Sequence, residues 1–381
     1  MQFSEGHKLF RQAVRSFVEK EINPYADEWE AAAIFPAHEL FKKLGGLGFL
    51  GLEYEPEFGG GGVDHTYTVI LGEEMGRCDS GGVAMAVSVQ TDMATPALAK
   101  WGTPEQKREF LAPALRGEMV ASIAVTEPDA GSDVAGLKTF ARRDGDDYVI
   151  NGSKIFITNG VQADFLTLLA RTSGEGGAKG MSLILVPTRT AGFQVSRKLD
   201  KLGMHASDTA ELAFNDVRVP VTNRIGPEGK GFQLQMQQFQ KERLIAVYNA
   251  VGAMQRAIER TVAYLKERKA FGGPLINNQS IQYQLADLIS EIELLREYSY
   301  ACAEMVNSGQ DATRMATIAK LRAGRLQRRL ADTCLQYHGG MGYMSETWVS
   351  RYFRDSRLLS IGGGADEVML RILARTEGLE A

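Results

Sequence analysis

The sequence predicts an α+β multidomain protein with a helical N-terminal domain, a barrel-like middle β domain and a C-terminal four-helix bundle. Three observations carry this reading. Apolar residues recur at three and four spacing through the first part of the chain, short β-prone runs broken by turn residues fill the middle, and four long periodic segments follow. The domains are read as residues 1–118, 119–228 and 229–381.

In the first domain, FRQAVRSFVEKEINPYADEWE puts Phe10, Val14, Phe17, Val18 and Ile22 at helical spacing. HELFKKLGGLGFLGL reads as a helix running into a glycine-rich turn, and EFGGGG as a flexible loop before a second helical stretch from about Thr66. TPEQKREFLAPALRG carries an N-terminal helix signature: Thr103 as cap, Pro104 at the first helical position and Glu105 in the first turn.

The texture changes near Met119. ASIAVTEP, YVINGSKIFITNG, FLTLLART, MSLILVP and TAELAFNDVRVP are β-prone, and DGDD, NG and SGEGG separate them. After GPEGKGF the chain returns to helices. The segments beginning FQLQMQQF, SIQYQLAD, DATRMATI and SETWVSRY are long enough to pack as an antiparallel bundle.

Composition narrows the function. Hydrophobic residues make up 44% and charged residues 24%, ordinary proportions for a water-soluble globular chain. A formal net charge of −4 argues against a nucleic-acid binder, and KLRAGRLQRR, the best feature for one, reads as a solvated or subunit-facing stripe. No apolar run reaches the length of a membrane span, and the mixed-charge N-terminus is unlike a signal peptide. Cys78, Cys302 and Cys334 are an odd set without metal spacing, which points to reduced thiols and a cytoplasmic protein. His205 and His338 have no second ligand at metal spacing, so neither receives a catalytic or metal role.

The most specific stretch is IAVTEPDAGSDVAG, residues 123–136. By its residues alone it is either a plain surface turn or a cradle whose backbone N–H groups and hydroxyls receive a polar ring edge or a phosphate. Three further stretches follow in order: SKIFITNG (153–160), ERKAFGGPL (267–275) and LQYHGGMGY (335–343). Together they resemble the acyl-CoA dehydrogenase family, flavoproteins that oxidise acyl-CoA thioesters to enoyl-CoA, over essentially the whole chain.

The resemblance implies an FAD site. Ile123, Val125 and Thr126 line the flavin, with Gly131 and Ser132 beside it. Ser132 also meets the CoA. Phe156 covers one face of the ring system, where many relatives have Trp, and Thr158 bonds near its reactive nitrogen. Arg268 and Phe271 hold the diphosphate and adenine end. An arginine suits a diphosphate because its fork donates two parallel bonds. Gln336, Gly339 and Gly340 reach a neighbouring subunit's FAD, and Ala365 and Glu367 join the cofactor contacts. The implied partners are the acyl-CoA substrate, an electron-transfer flavoprotein and other copies of the chain in a homotetramer.

The reaction removes an α proton and passes the β hydrogen to flavin as hydride. It needs a carboxylate against the α carbon and a polarised thioester carbonyl. Many members place that carboxylate in a Tyr-Glu-Gly-Thr turn. The matching residues here are Gly362, Gly363, Gly364 and Ala365, so Gly363 stands at the usual glutamate position. Asp366 and Glu367 lie three and four residues beyond it, where they suit the positive end of the last helix.

Another carboxylate stands in KERLIAV, residues 241–247. Glu242-Arg243-Leu244 resembles the subset of the family, isovaleryl- and long-chain enzymes among them, that carries its base on this helix. Leu244, Val247, Val251, Met254 and Ile258 form the apolar stripe. Glu242 lies on a different face, followed by Ala246, Asn249 and Ala253. On that helix alone a solvated glutamate and a placed base both remain open, and Gly363 together with the motif decides for the base. The resemblance further implies that Arg243 helps bind CoA and that the Gly363 N–H donates to the thioester carbonyl.

Gly362 in place of tyrosine leaves room for a methyl branch. TDMATPALA, SDVAGLKT, KLGMHASDTA and SIGGGADE are similar to bacterial citronellyl-CoA dehydrogenases. The alternatives are an acyl-CoA oxidase or flavin monooxygenase on the same scaffold, and, from another class, a non-catalytic flavoprotein or nucleic-acid binder.

Overall fold

The computed structural model describes residues 1–270 and 272–379. The N-terminal region holds α1 (Glu5–Phe17), α2 (Ala26–Ala32), α3 (Ala37–Gly46), α4 (His65–Met75), α5 (Gly81–Ser88), α6 (Pro96–Trp101), α7 (Pro104–Gln106) and α8 (Ala112–Leu115). Between α5 and α6 the chain makes a π-helical turn, Val89–Ala94. The expected start at Thr103 is present: its Oγ1 accepts from the Gln106 N–H, and the Gln106 side chain accepts from the Thr103 N–H. Apolar residues of α1 and α3, Val14, Phe17, Leu40, Phe41 and Leu44, are buried in one cluster with Met75 and Val83.

The middle region is one sheet in the order β6 (Phe193–Lys198), β7 (Thr209–Pro220), β3 (Asp147–Thr158), β2 (Phe140–Asp144), β4 (Phe165–Arg171), β5 (Met181–Pro187), β8 (Arg224–Ile225). β1 (Ala121–Ala124) joins it in parallel beside β4. Both wings feed one core, in which Ile150, Leu212 and Phe214 meet Leu166, Leu168 and Ile184. β4 and β5 are buried along nearly their whole length, which is why FLTLLA and MSLILV read as continuous apolar runs rather than alternating ones.

Helices return in α9 (Gly231–Glu267), α10 (Gln279–Asn307), α11 (Thr313–His338), α12 (Trp348–Ser356) and α13 (Asp366–Thr376). A short hairpin, β9 (Lys269–Ala270) with β10 (Gly273–Pro274), lies between α9 and α10. The fourth predicted helix is much the shortest of the four, nine residues in α12, because the chain tightens into a 3₁₀ turn at Arg357–Ser360 and then meets the three glycines. The stripe Leu244, Val247, Val251, Met254 and Ile258 is buried in the bundle core, as its spacing predicts. The basic run divides: Arg322, Arg325, Arg328 and Arg329 face solvent, whereas Lys320 is buried.

Glycines bring α4 against α9 backbone to backbone. A methyl on Gly252 would stand 1.8 Å from the Glu73 carbonyl oxygen, and one on Gly76 would stand 2.0 Å from that of Asn249. This contact ties the N-terminal helices to the face of α9 that continues from Glu242. No described helix is long and apolar enough to cross a membrane.

Candidate active site

Two strands and a turn build one wall. β1 ends at Ala124, and the chain turns through Val125, Thr126 and Glu127 beside the end of β3. Three bonds lock the two together: Ser122 Oγ to the Thr158 carbonyl at 2.6 Å, the Ile155 N–H to the Thr126 carbonyl at 2.9 Å, and Lys154 Nζ to the Val125 carbonyl at 2.8 Å. Lys154 also pairs with Glu127 at 2.8 Å, and Glu127 accepts from the N–H groups of Lys138 and Thr139. Burial pushes the Lys154 ammonium down to about 8, although Glu127 opposes the shift. Without the pair, the turn would carry an uncompensated buried charge.

The register of β3 against β7 slips between Lys154 and Ile157. Inside that bulge Phe156 takes φ +61° and turns its ring outward, 65% exposed. Thr126 and Thr158 are half-buried, and their hydroxyls bond none of the described residues. Gly131 and Ser132 are exposed on the following turn. An outward aromatic ring beside two uncommitted hydroxyls fits a planar, heteroatom-edged group such as an isoalloxazine. The structure therefore brings Ile123, Val125, Thr126, Phe156 and Thr158 together.

Glu242 is positioned separately, by α9. It lies in the first half of α9 and is buried, not solvated. Its Oε1 accepts from Gln238 Nε2 at 2.7 Å and from Gln235 Nε2 at 3.1 Å. Gln238 also donates to the Met93 carbonyl, which ties α9 to the Val89–Ala94 turn. Burial pushes the Glu242 carboxyl up to about 8; the two amides and Arg243 pull it down, and Asp92 adds to the rise. Asp92 is itself raised to about 6 by burial while accepting from Thr91 Oγ1 at 2.5 Å. Arg243 is half-buried, and its Nε has no partner among the described residues.

The triple-glycine turn supplies no carboxylate of its own. Gly363 has φ +62° and Gly364 φ +98°, left-handed values that suit glycine. Lys320, from α11, donates to the Gly364 carbonyl and fixes the turn. Asp366 and Glu367 occupy the first turn of α13, after Ala365 as its cap residue. Asp366 is buried with Arg325 at 3.7 Å, and Glu367 is exposed. A Cβ on Gly363 would meet nothing within 4 Å, and one on Gly362 would meet Leu358 at 3.4 Å, an ordinary contact.

One helical turn beyond Glu242 a cleft opens, enclosing about 820 Å³, part of it open to solvent. Ala246, Asn249 and Ala253 line it from α9, facing Ala84 and Met85 of α5 and Tyr352 of α12. These are the small residues that follow Glu242 on its own flank, so the carboxylate and the cleft share a face.

The remaining expected contacts lie elsewhere. Arg268, exposed, is the C-terminal cap of α9, about 39 Å along the axis from Glu242 at 1.5 Å per residue. Gln336, Gly339 and Gly340 are exposed at the end of α11. The two ends adjoin, since Tyr264 stacks on His338 with ring centroids 4.2 Å apart. Phe271 lies outside the described residues. No group of acidic, cysteine or histidine side chains suited to a metal occurs among the described residues.

Sequence reasoning missed Gln235, Gln238 and Lys320. Gln235 and Gln238 were findable, since they precede Glu242 by seven and four positions and so share its helical face. Lys320 was hidden inside a charge run that reads as solvated.

Comparison with known proteins places the chain in a family. Three family profiles match in order: acyl-CoA dehydrogenase N-terminal domain over residues 4–118, middle domain over 122–217 and C-terminal domain over 229–377. The rat mitochondrial long-chain specific acyl-CoA dehydrogenase is 39% identical over 375 residues, 98% of this chain and 86% of that protein. The crystal structure of an acyl-CoA dehydrogenase from Geobacillus kaustophilus superposes with a TM-score of 0.95 at 38% identity, covering 98% of each chain. That of a glutaryl-CoA dehydrogenase from Mycobacterium smegmatis, in complex with FADH2, superposes at 0.93 with 29% identity, covering 100% of this chain and 96% of that one. With all three domains matched in order and a relative 39% identical over 98% of the chain, the chain belongs to the acyl-CoA dehydrogenase family.

Proposed function

We propose that this chain is an FAD-dependent dehydrogenase that converts an acyl-CoA to its trans-2-enoyl-CoA, with Glu242 as the base and a medium to long or 3-methyl-branched acyl chain as substrate. The observation that carries the reading is the pairing of two facts. Glu242 is a buried carboxylate with a raised pKa, one helical turn before Ala246 of the cleft, and Gly363 provides no carboxylate at the turn. Burial keeps the carboxyl poised near neutrality, where a base can both take and release a proton.

The thioester lies between the Phe156 face and α9. Glu242 takes the α proton as the α,β double bond forms. The bound flavin supplies the oxidising power, accepting the β hydrogen with its electron pair. Gly363 offers its backbone N–H to the thioester carbonyl, a donor that needs no side chain. Arg243 and Ser132 serve the CoA. Ile123, Val125, Thr126, Gly131, Thr158, Ala365 and Glu367 serve the FAD on the same side.

Arg268, Phe271, Gln336, Gly339 and Gly340 serve the FAD of a neighbouring copy, in a homotetramer. The support is the length of α9, which puts Arg268 far from the Glu242 of its own chain. An electron-transfer flavoprotein is the electron acceptor. Three unpaired cysteines favour the cytoplasm. Residues 1–118, 119–228 and 229–381 are its working domains.

The branched substrate rests on the space beside Gly362 and Gly363. An anaerobic titration with isovaleryl-, citronellyl-, octanoyl- and palmitoyl-CoA, following the flavin's visible absorption, tests it. The reading expects a branched thioester to bleach the flavin at least as well as a straight one. Much better bleaching by octanoyl-CoA would refute the branched pocket.

A further inference from the structure

We propose that Gln235 and Gln238 are positioning residues that hold the Glu242 carboxylate by Oε1 and present Oε2 as its proton-accepting atom. The inference rests on the reading of Glu242 as base. Both amides donate to the same oxygen, at 3.1 and 2.7 Å. Both amide oxygens are buried and without a partner among the described residues. A carboxyl oxygen carries two lone pairs, so Oε1 accepts both amide N–H bonds and Oε2 stays outside the clamp. Oε2 bonds none of the described residues.

The clamp has a purpose in the chemistry. A free carboxylate rotates about its last torsion and shares the proton-accepting role between two oxygens. Fixing Oε1 removes that freedom, and proton transfer to the α carbon then meets one aimed oxygen. Gln238 adds a link to the Met93 carbonyl on the Val89–Ala94 turn, so the base is tied to that turn as well as to its own helix. N–H donors favour the charged carboxylate, so they also offset part of the burial that raises it.

The charged neighbours are Arg243 on the same helix and Asp92 on the facing turn, with Glu53, His65 and Lys241 behind Asp92. Lys320 faces Arg243 from α11. None of these is altered by substituting the glutamines, so a change in pH profile reports the amide bonds.

The test is stopped-flow flavin bleaching of the holoenzyme by a saturating thioester across pH, for Gln238→Met, Gln235→Met and Glu242→Gln. Methionine keeps the side-chain length and removes the N–H. Losing the bond raises the carboxyl, so the rising limb of the rate moves about one pH unit upward in Gln238→Met. The rate falls roughly tenfold at pH 7 and recovers above the limb. Gln235→Met, with the longer bond and no tie to Met93, shifts the same way by less. Flavin content stays at the parent level. Limbs unmoved in both variants, or a rate lowered equally at every pH, would overturn the clamp. Loss of bleaching in Glu242→Gln together with unmoved limbs rejects the clamp alone, whereas a Glu242→Gln protein that bleaches normally rejects the base itself.

Discussion

At the residue scale, the account turns on a carboxyl that the fold keeps protonated to a higher pH than usual. Glu242 rises from an ordinary 4.5 to about 8 because burial penalises its charged form. The folded protein therefore holds a proton there that the unfolded chain has lost between those values. By linkage, this group's contribution to stability is intact below the unfolded pKa and falls as pH rises through the window. Glu242→Gln removes the slope. Denaturant midpoints of parent and variant at pH 5 and pH 8.5 should diverge, with the glutamine protein gaining at the higher pH. Equal differences at both pH values would mean that the carboxylate is not desolvated. The burial of Glu242 agrees with what its motif and the glycine at 363 lead us to expect of that helix face. Lys154 and Glu127 were not legible, because a buried ion pair between a strand and a turn leaves no period in the sequence.

At the element scale, helix contacts made through glycine put the site together. Gly252 lets α9 approach the Glu73 carbonyl so closely that a methyl would stand 1.8 Å from it, and the obstacle is backbone that cannot swing away. Gly252→Ala should therefore cost about 1–3 kcal/mol through overpacking. The cleft beside Ala246 should widen or shift, which a drop in thermal midpoint and weaker thioester binding would register. A fully stable variant with parent binding would show that α4 and α9 do not meet this way. The apolar stripe of α9 and the cap at Thr103 were readable, because helix period and cap chemistry are local, whereas Asp366 and Glu367 stand in the first turn of α13 without capping it. The outward turn of Phe156 was not, because a β-bulge depends on the register between β3 and β7, strands far apart in sequence. The short α12 was over-read as a long helix, since glycines end it where its residues would continue.

At the scale of the whole molecule, the three-part plan was visible in the texture of the chain. The relation between its ends was not. α9 spans 37 residues, so the Glu242 cluster in its first half and the Arg268 end lie about 39 Å apart along one rod. If Arg268 serves a neighbour's FAD, Arg268→Ala should shed flavin on dilution or gel filtration, leaving Glu242 and its pH limb unchanged. Retention of flavin at the parent level would exclude that role. The central claim concerns the base, and one experiment reaches it most directly: anaerobic mixing of flavin-loaded parent and Glu242→Gln with the thioester that bleaches the parent best. The account predicts that the variant binds the thioester yet bleaches roughly 10²–10⁴-fold more slowly, the usual worth of a positioned base. Bleaching at the parent rate would contradict it and place the proton-accepting group elsewhere in the chain.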